Sequence, residues 1–234
     1  SAEQVPITIK KFAGPYDSGN SRVAPFGVDR FDAKLSIHSI ANMVGLHMGR
    51  DFDKFIDSVL VGLLDTASST VRPLGFAADA DFTTQEAGPM DMNTIARAER
   101  ALDEANIPVF PNGKRMLVLH PRQAQSLKDD PQFARYAEFH APVNPLLAKS
   151  YLKSVAGFDI FKSNTLDTDS NGSSITVYKA QAFGPGVLGS AVGEMPRVMA
   201  ATDDNYGETA KVIWLLYGAF ALLDNRFAVS VRTS

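Results

Sequence analysis

The sequence predicts an α+β fold, in which strands and helices occupy separate stretches of the chain. Two observations carry this prediction. Apolar residues recur with a period of two near both ends of the chain, whereas between Ser36 and Asp65 they follow helical spacing. With 234 residues, 45% hydrophobic and 21% charged, the chain is long enough for one or two domains and too apolar for a disordered protein.

The N-terminal part predicts a long hairpin. Apolar residues alternate with polar ones over 5–10, which is typical of a strand. Turn residues follow at 14–20, and a second extended stretch runs from Arg22 towards Leu35. This hairpin has too few large apolar residues to bury itself, so we expect it to lie against another surface.

One long helix follows the hairpin. Apolar residues at helical spacing predict it over 37–65, with Gly49 as a candidate break. Residues 67–92 contain Gly75, Gly88 and Pro89, and they predict an irregular connector.

A section of alternating helices and strands comes next. Asn93 or Thr94 is the predicted cap of a helix that ends before Pro108. A short buried strand is predicted at 116–119, and Pro121 is placed to open the helix after it. The remaining predictions are a helix from Pro131 to about Phe139 and strands near 157–162, 174–180 and 196–201.

The C-terminal part predicts an antiparallel strand pair. A long extended run covers 211–223, and Asp224-Asn225 is a two-residue turn. Residues 226–232 alternate, so Phe227, Val229 and Val231 are predicted to face a core.

Composition excludes several classes of protein. The chain has 23 basic and 26 acidic side chains, and the net charge of −3 argues against a protein that coats nucleic acid by bulk electrostatics. The absence of Cys excludes a disulfide scaffold, a thiolate zinc site and a cysteine nucleophile, and it fits assembly in a reducing cytosol. The longest apolar run, Ile213 to Leu223, is shorter than the roughly 20 residues of a membrane-spanning helix.

Two segments imitate binding motifs. Residues 184–189 match G-x-G-x-x-G, but the residues after them make a poor helix, so a loop between strands is the favoured interpretation. Residues 167–172 copy the first half of an EF-hand loop, but Tyr178 stands where the bidentate Glu belongs. A polar turn between strands is favoured there.

No assembled set of catalytic groups is visible. His120 ends a buried strand without a nucleophile motif nearby, so we interpret it as structural. The carboxylates of Asp79, Asp81 and Glu86 are weak candidates for a cation site. A cytosolic α/β enzyme that uses His120 with these carboxylates remains an alternative, and it requires the groups to converge in one pocket. We assign no catalytic, cofactor-binding or metal-binding residue.

Charge is divided along the chain. Residues 51–106 carry 4 basic and 11 acidic side chains, a net charge of −7, whereas residues 107–162 carry 8 basic and 4 acidic, a net charge of +4. Two interpretations stay open: a mixture of solvated faces, or complementary patches that meet between copies of the chain.

Several short phrases, in their order, carry a family resemblance. They are Leu102-Asp103 with Ile107-Pro108, the strand from Gly113 to Pro121, Leu127 to Phe133, Gly157-Phe158 through Ser163 to Leu166, and Tyr206-Gly207 followed by Tyr217-Gly218. The chain therefore resembles the major capsid protein of tailed phages of the Hong Kong 97 type.

The resemblance implies a fold with an extended N-terminal hairpin loop, a long spine helix, a peripheral β-sheet domain and an axial α/β domain. Residues 1–36 would form the loop that reaches over a neighbouring subunit, and 37–92 the peripheral domain with the spine helix. Residues 93–195 would form the axial domain, and 196–234 the closing strands of the peripheral domain.

The implied function is self-assembly into an icosahedral shell around phage double-stranded DNA, without enzymatic activity or cofactors. The implied partners are copies of the chain in pentamers and hexamers, packaged DNA bound non-specifically, and scaffolding, portal and decoration proteins; no membrane is implied. The virion is the expected location, with assembly in the host cytoplasm. The candidate subunit contacts are Lys10, Lys11, Tyr16, Arg22, Phe26 and Arg30.

Two points stay open. An encapsulin-type compartment shell, which shares the fold, is the closest alternative function. The first residue is Ser1 rather than Met, which fits either removal of a preceding segment by a maturation protease or a shortened chain.

Overall fold

The computed structural model describes residues 9–14, 26–29, 40–67, 69–85, 87–133, 151–171, 174–204 and 209–234. Its helices are α1 (Ile40–Asp65), α2 (Met92–Glu104) and α3 (Pro121–Asp129). Its strands are β1 (Lys10–Gly14), β2 (Phe26–Asp29), β3 (Ser69–Val71), β4 (Arg115–Leu119), β5 (Tyr151–Val155), β6 (Phe158–Lys162), β7 (Thr168–Ser170), β8 (Thr176–Phe183), β9 (Leu188–Asp204), β10 (Thr209–Leu222) and β11 (Ala228–Thr233). The predicted mixture of helices and strands is confirmed.

The chain divides into two compact units. The first unit holds Ser1–Val59 and Gly189–Ala221, and the second holds Leu60–Leu188 and Leu222–Ser234. The chain passes between them within α1, at the start of β9 and at the end of β10. The four predicted domain ranges assign roles in a shell, and they stay a prediction.

In the first unit, α1 packs one apolar stripe on β10. Val44, Met48 and Phe55 of the helix are buried with Trp214 and Leu216 of the strand. The stripe follows from spacings of four and seven residues, which keep side chains on one side of a helix. The predicted break at Gly49 is wrong: α1 continues through it, because packing of the apolar stripe outweighs the roughly 1 kcal/mol that glycine costs a helix.

Aromatic rings fill the centre of this core. The Trp214 ring lies 5.3 Å from Phe52 in an edge-on arrangement and 5.1 Å from Phe55. Phe12 of β1 lies 5.0 Å from Phe55, so the N-terminal strand contributes to the same core. The Trp214 indole N–H donates to Asp51 Oδ2 at 2.7 Å, which satisfies the polar atom that the burial would otherwise leave without a partner.

The sheet of the first unit corrects the predicted N-terminal hairpin. Among the described residues β1 and β2 do not pair with each other; each pairs antiparallel with β10. β1 lies along Trp214–Gly218 and β2 along Thr209–Val212. The apolar strand β10 and the helix packed on it offer these short arms a core, which the few apolar residues of the two arms cannot offer each other.

The second unit is built on a larger mixed sheet. Its strand order is β3-β11-β8-β4-β6-β5, with β7 also paired to β8. β11 runs parallel to β3 and β4 runs parallel to β6, while the other described pairs are antiparallel. Helix α2 contacts β11 and β3, and α3 contacts β8. Ile95, Leu102 and Leu127 of these helices are completely buried against the sheet.

The predicted pairing at the C-terminus is wrong. β10 belongs to the sheet of the first unit, whereas β11 lies between β3 and β8 in the second. Asp224 caps a short 3-10 turn at Asn225–Phe227 instead of a hairpin turn. Val229 and Val231 are buried as predicted, but Ser230, predicted to face outward, is buried as well because β11 is a central strand with both faces covered.

The local signals of the second unit are otherwise confirmed with small shifts. Pro121 stands in the first turn of α3, as predicted. Helix α2 begins two or three residues earlier than predicted, because its N-cap is Asp91 rather than Asn93 or Thr94; the Asp91 carboxylate accepts the Thr94 backbone N–H at 2.7 Å. Of the helix predicted from Pro131, only residues 131–133 lie in the described part of the chain, and they are helical.

Candidate functional site

The six predicted contact residues fall in the N-terminal arms. Lys10 and Lys11 lie on β1, opposite Gly218 and Tyr217 of β10, and both are exposed. Phe26 opens β2, opposite Val212. The predictions for Tyr16, Arg22 and Arg30 lie outside the described residues. All six stay predicted contacts.

The two arms meet β10 almost at the same place. Gly14, the last residue of β1, pairs with Trp214, and Phe26 pairs with Val212. Partners two positions apart on one strand are separated by about 7 Å. The eleven residues between the arms, 15–25, are therefore anchored at both ends on β10.

The sequence interpretation missed an exposed apolar surface on β9. We call Val192, Met195, Val198 and Met199 the β9 patch; their exposed fractions are 53%, 77%, 60% and 44%. The sequence carried a signal, because large apolar residues at these spacings fall on both faces of an extended strand. The predicted strand covered only 196–201, so the two-faced pattern was not recognised.

A buried ion pair fixes the end of α1 within the second unit. The ammonium of Lys179 on β8 lies 2.8 Å from Asp65 Oδ2 and 3.5 Å from Asp169 Oδ2, and its side chain is 8% exposed. Burial lowers the pKa of Lys179, but the hydrogen bond and charge of Asp65 and the charge of Asp169 outweigh it, so the pKa is raised. Lys179 is therefore charged at neutral pH.

A second ion network includes Asp79, one of the carboxylates that the alternative hypothesis of an α/β enzyme would use. Asp79 accepts from Arg72 Nε at 2.7 Å and from Arg232 Nη1. Burial raises the pKa of Asp79, but the hydrogen bonds from Arg72 and Arg232 lower it by a larger amount. The net pKa is therefore lowered, and the carboxylate stays ionised at neutral pH. Arg232 stands opposite Lys179 across β11 and β8, and Asp79 compensates a repulsion that two neighbouring cations would otherwise feel.

His120 caps a helix, which confirms its structural interpretation. Its Nδ1 accepts the Arg122 backbone N–H at 3.2 Å, and its own backbone N–H donates to Gln123 Oε1 at 3.0 Å. The ring stacks on Tyr178 at 4.7 Å. Burial first, and the Arg122 charge second, lower the pKa of His120. No described contact joins His120 to Asp79, and Glu86 lies outside the described residues.

Neither of the two segments that imitate binding motifs forms a binding loop. A Cβ on Gly184 would lie 2.5 Å from Ile107 Cγ2 and 2.7 Å from the Pro108 carbonyl oxygen, so this glycine permits close packing. β9 begins at Leu188, and no helix follows the glycines. Asp169 lies on β7 and faces Lys179. The predicted loop between strands is confirmed for residues 184–187, whereas the polar turn predicted at 167–172 is wrong over Thr168–Ser170, which forms β7 because it pairs with β8.

A groove of about 610 Å³ lies in the second unit, near the start of α2 and along α3. Its lining includes Asp91 and Asp130, but both carboxylates cap backbone N–H groups, those of Thr94 and Met92 respectively. Over the described ranges, no three His, Asp or Glu side chains are placed to hold a metal ion. In the same part of the chain, no helix has the length and apolar content needed to cross a membrane.

The fold thus combines a long helix packed on an apolar strand, N-terminal strands paired with the same strand, and a separate mixed sheet flanked by two helices. The family model described as phage capsid protein matches residues 36–231. The chain therefore belongs to the phage capsid protein family, and it is a shell-forming major capsid protein of the virion.

Solved structures show the same fold. The capsid of Ralstonia phage GP4 matches with a TM-score of 0.67 at 18% identity, over 97% of this chain and 73% of that one. The capsid of cyanophage P-SCSP1u matches with a TM-score of 0.66 at 14% identity, over the same shares. A virus-like particle from Pyrococcus furiosus matches with a TM-score of 0.54 at 12% identity, over 97% of this chain and 76% of that one. No curated protein matches the sequence.

Proposed function

We propose that copies of this chain form pentamers and hexamers that close into an icosahedral shell of the Hong Kong 97 type around double-stranded phage DNA. The observation that carries the proposal is the family match over 36–231, which covers parts of both compact units. The chain acts by association and has no enzymatic role, and the shell is assembled in the host cytoplasm.

The N-terminal arms support a role in joining subunits. Phe12 packs in the core of the first unit, while Lys10 and Lys11 on the same strand face solvent. Gly14 and Phe26, the residues on either side of 15–25, both pair with β10, so the two ends of this segment start from the body of the subunit. A segment held in this way can reach a neighbouring subunit while its own subunit remains folded.

The charge of the chain fits a container for DNA. With a net charge of −3, the chain does not neutralise phosphates in bulk, so it encloses DNA without binding it tightly or reading its sequence. Complementary charge between copies stays part of the proposal. One contact between the acidic and basic stretches lies within a single chain, because Asp103 pairs with Arg115 at 2.6 Å. Scaffolding, portal and decoration proteins would be the further partners.

Electron microscopy of the purified chain tests the proposal. We expect closed particles when the ionic strength and protein concentration are varied, with a scaffolding partner added if the chain alone does not assemble. A chain that remains monomeric under every condition contradicts the proposal. Particles recovered from cells distinguish the phage shell from a compartment shell, since packaged genome supports the first and a protein cargo without DNA supports the second.

A further inference from the structure

We infer that the second unit contains an internal water site, in which ordered water joins the side chains of Gln181 on β8 and Ser230 on β11 beneath the end of α1. The inference concerns the interior of one folded subunit, so it does not depend on the proposed function.

Gln181 and Ser230 share one face of the larger sheet. They stand directly opposite each other where β8 pairs antiparallel with β11. Their neighbours along the strands, Ala182 and Val229, belong to the core that includes residues of α2 and α3. Because successive side chains of a strand point to opposite faces, Gln181 and Ser230 lie on the face away from these two helices. Side chains that stand directly opposite have Cβ atoms about 5 Å apart, so the two polar groups are close neighbours.

The end of α1 packs on the same face. Leu64 of α1 is buried in one cluster with Ala228, which precedes the serine by two positions on β11. Asp65 Oδ2 lies 2.8 Å from the ammonium of Lys179, which precedes the glutamine by two positions on β8. Since the two strands run in opposite directions, these contacts lie on either side of the serine and the glutamine. Both polar residues are 1% exposed, so they are closed off from solvent.

Four buried polar atoms at this face have no hydrogen-bond partner among the described residues. They are Gln181 Oε1, Ser230 Oγ, Asp65 Oδ1 and Arg232 Nε. In the described part of the chain only one further buried side-chain atom shares this state, Arg115 Nε. A buried polar atom without a partner is costly, and native proteins nearly always supply one. The concentration of such atoms at one place therefore indicates a bound polar ligand.

Water suits these four atoms better than an ion does. The oxygens of Gln181 and Asp65 only accept hydrogen bonds, Arg232 Nε only donates, and the serine hydroxyl does either. A cation would bind the oxygens but would meet the positive charges of Lys179 and Arg232, which stand opposite each other on β8 and β11. An anion would bind Arg232 Nε but would meet the acceptor oxygens. Water both donates and accepts, and a buried water makes about three hydrogen bonds to groups of this kind.

A structure of the unsubstituted chain at a resolution that shows ordered water tests the inference directly. We expect a water molecule within hydrogen-bond distance of both Gln181 Oε1 and Ser230 Oγ, whether the subunit is isolated or part of a shell. A direct hydrogen bond between these two side chains, or density without a water molecule between them, would overturn the inference.

Thermal unfolding of two variants gives an independent measurement. Ser230→Ala should lower the Tm by about 2–4 °C, because it removes one partner of the bound water and one net hydrogen bond has this effect in a chain of this size. Thr233→Val is the matched control, since it removes a buried hydroxyl of the same strand that accepts directly from Gln123 Nε2 at 2.9 Å. It should lower the Tm by a similar amount. A Tm that Ser230→Ala leaves unchanged or raises contradicts the inference, because removal of a hydroxyl without any partner costs nothing.

Salt dependence distinguishes water from a bound cation. The difference in Tm between the unsubstituted chain and Ser230→Ala should be the same in NaCl, KCl and MgCl2 at equal ionic strength. A rise in Tm with one of these cations that Ser230→Ala abolishes would show an ion site in place of the water site, and it would overturn the inference.

Discussion

Replacing residues 15–25 by a five-residue Gly-Ser linker should leave the subunit folded and prevent its assembly. The boundaries come from the register of the arms, because Gly14 and Phe26 are the residues that pair with Trp214 and Val212 on β10. A deletion that began at Ala13 would remove two residues of β1 and confuse loss of the loop with loss of the strand.

The expected change in stability is small. The linker spans up to about 17 Å, more than the ~7 Å between two positions on one strand together with one or two strand spacings of ~4.8 Å. All the described pairs of β1 and β2 with β10 are therefore kept. Shortening the connection between the two strands from eleven residues to five lowers the entropic cost of closing it by about 0.7 kcal/mol. The free energy of unfolding should thus stay the same or rise by up to about that amount.

Two assays separate folding from assembly. Urea unfolding of the isolated subunit, followed by circular dichroism, gives the free energy of unfolding. Sedimentation and electron microscopy then show whether shells form. A variant with a Gly-Ser linker of the original eleven residues is the control, since it keeps the length and removes only the sequence.

The reasoning is refuted by either of two results. Normal shells from the five-residue variant would show that the segment has no part in joining subunits. A loss of more than about 2 kcal/mol of stability would show that the segment supports the core of its own subunit.

Three further predictions concern the subunit itself. Gly184→Ala should lower the free energy of unfolding by about 1–3 kcal/mol, because a Cβ there would press on a backbone carbonyl oxygen. Gly62→Ala, in open space on α1, should instead raise it by about 0.5–1 kcal/mol. Equal effects of the two variants in urea unfolding would contradict this prediction. Asp65→Asn should cost about 2–3 kcal/mol by leaving Lys179 buried without its nearest carboxylate, and Lys179→Met, which removes the buried charge, should cost less in the same assay. The lowered pKa of His120 means that the folded state resists protonation, so the free energy of unfolding should fall as the pH drops below about 6.5. His120→Asn keeps a capping acceptor, and thermal melts of this variant should depend less on pH. An unchanged pH dependence would refute the prediction.

Features that depend on near neighbours in the chain were predictable. The spacing of Val44, Met48 and Phe55 predicts both the helix α1 and the side of it that packs. Pro121 has no backbone N–H to lose and a suitable φ, so it predicts the start of α3 from its own chemistry. His120 was interpreted correctly as structural, because no partner motif stood beside it in the sequence.

Pairing partners were less predictable. The residues after Asp224 form a strand, as their alternation indicates, but alternation does not say which strand lies beside it. The prediction took the nearest strand in sequence, β10, whereas β11 pairs with β3 and β8 far along the chain. The predicted pairing of the N-terminal arms was wrong for the same reason, since their partner β10 lies about two hundred residues further along the sequence.

The sequence by itself determined the α+β class, the long helix, the glycines and prolines of the turns, and the ordered phrases that resemble phage capsid proteins. Each of these depends on residues within one or two turns or strands, where side-chain spacing and backbone preference act directly. Only the tertiary structure decided that β10 and β11 belong to different units, that Lys179 is charged while buried beside Asp65, and that the β9 patch remains exposed. Pairing, burial and exposure depend on which distant segments contact each other. The free energy of those contacts depends on both segments, so the sequence of one segment alone does not predict them.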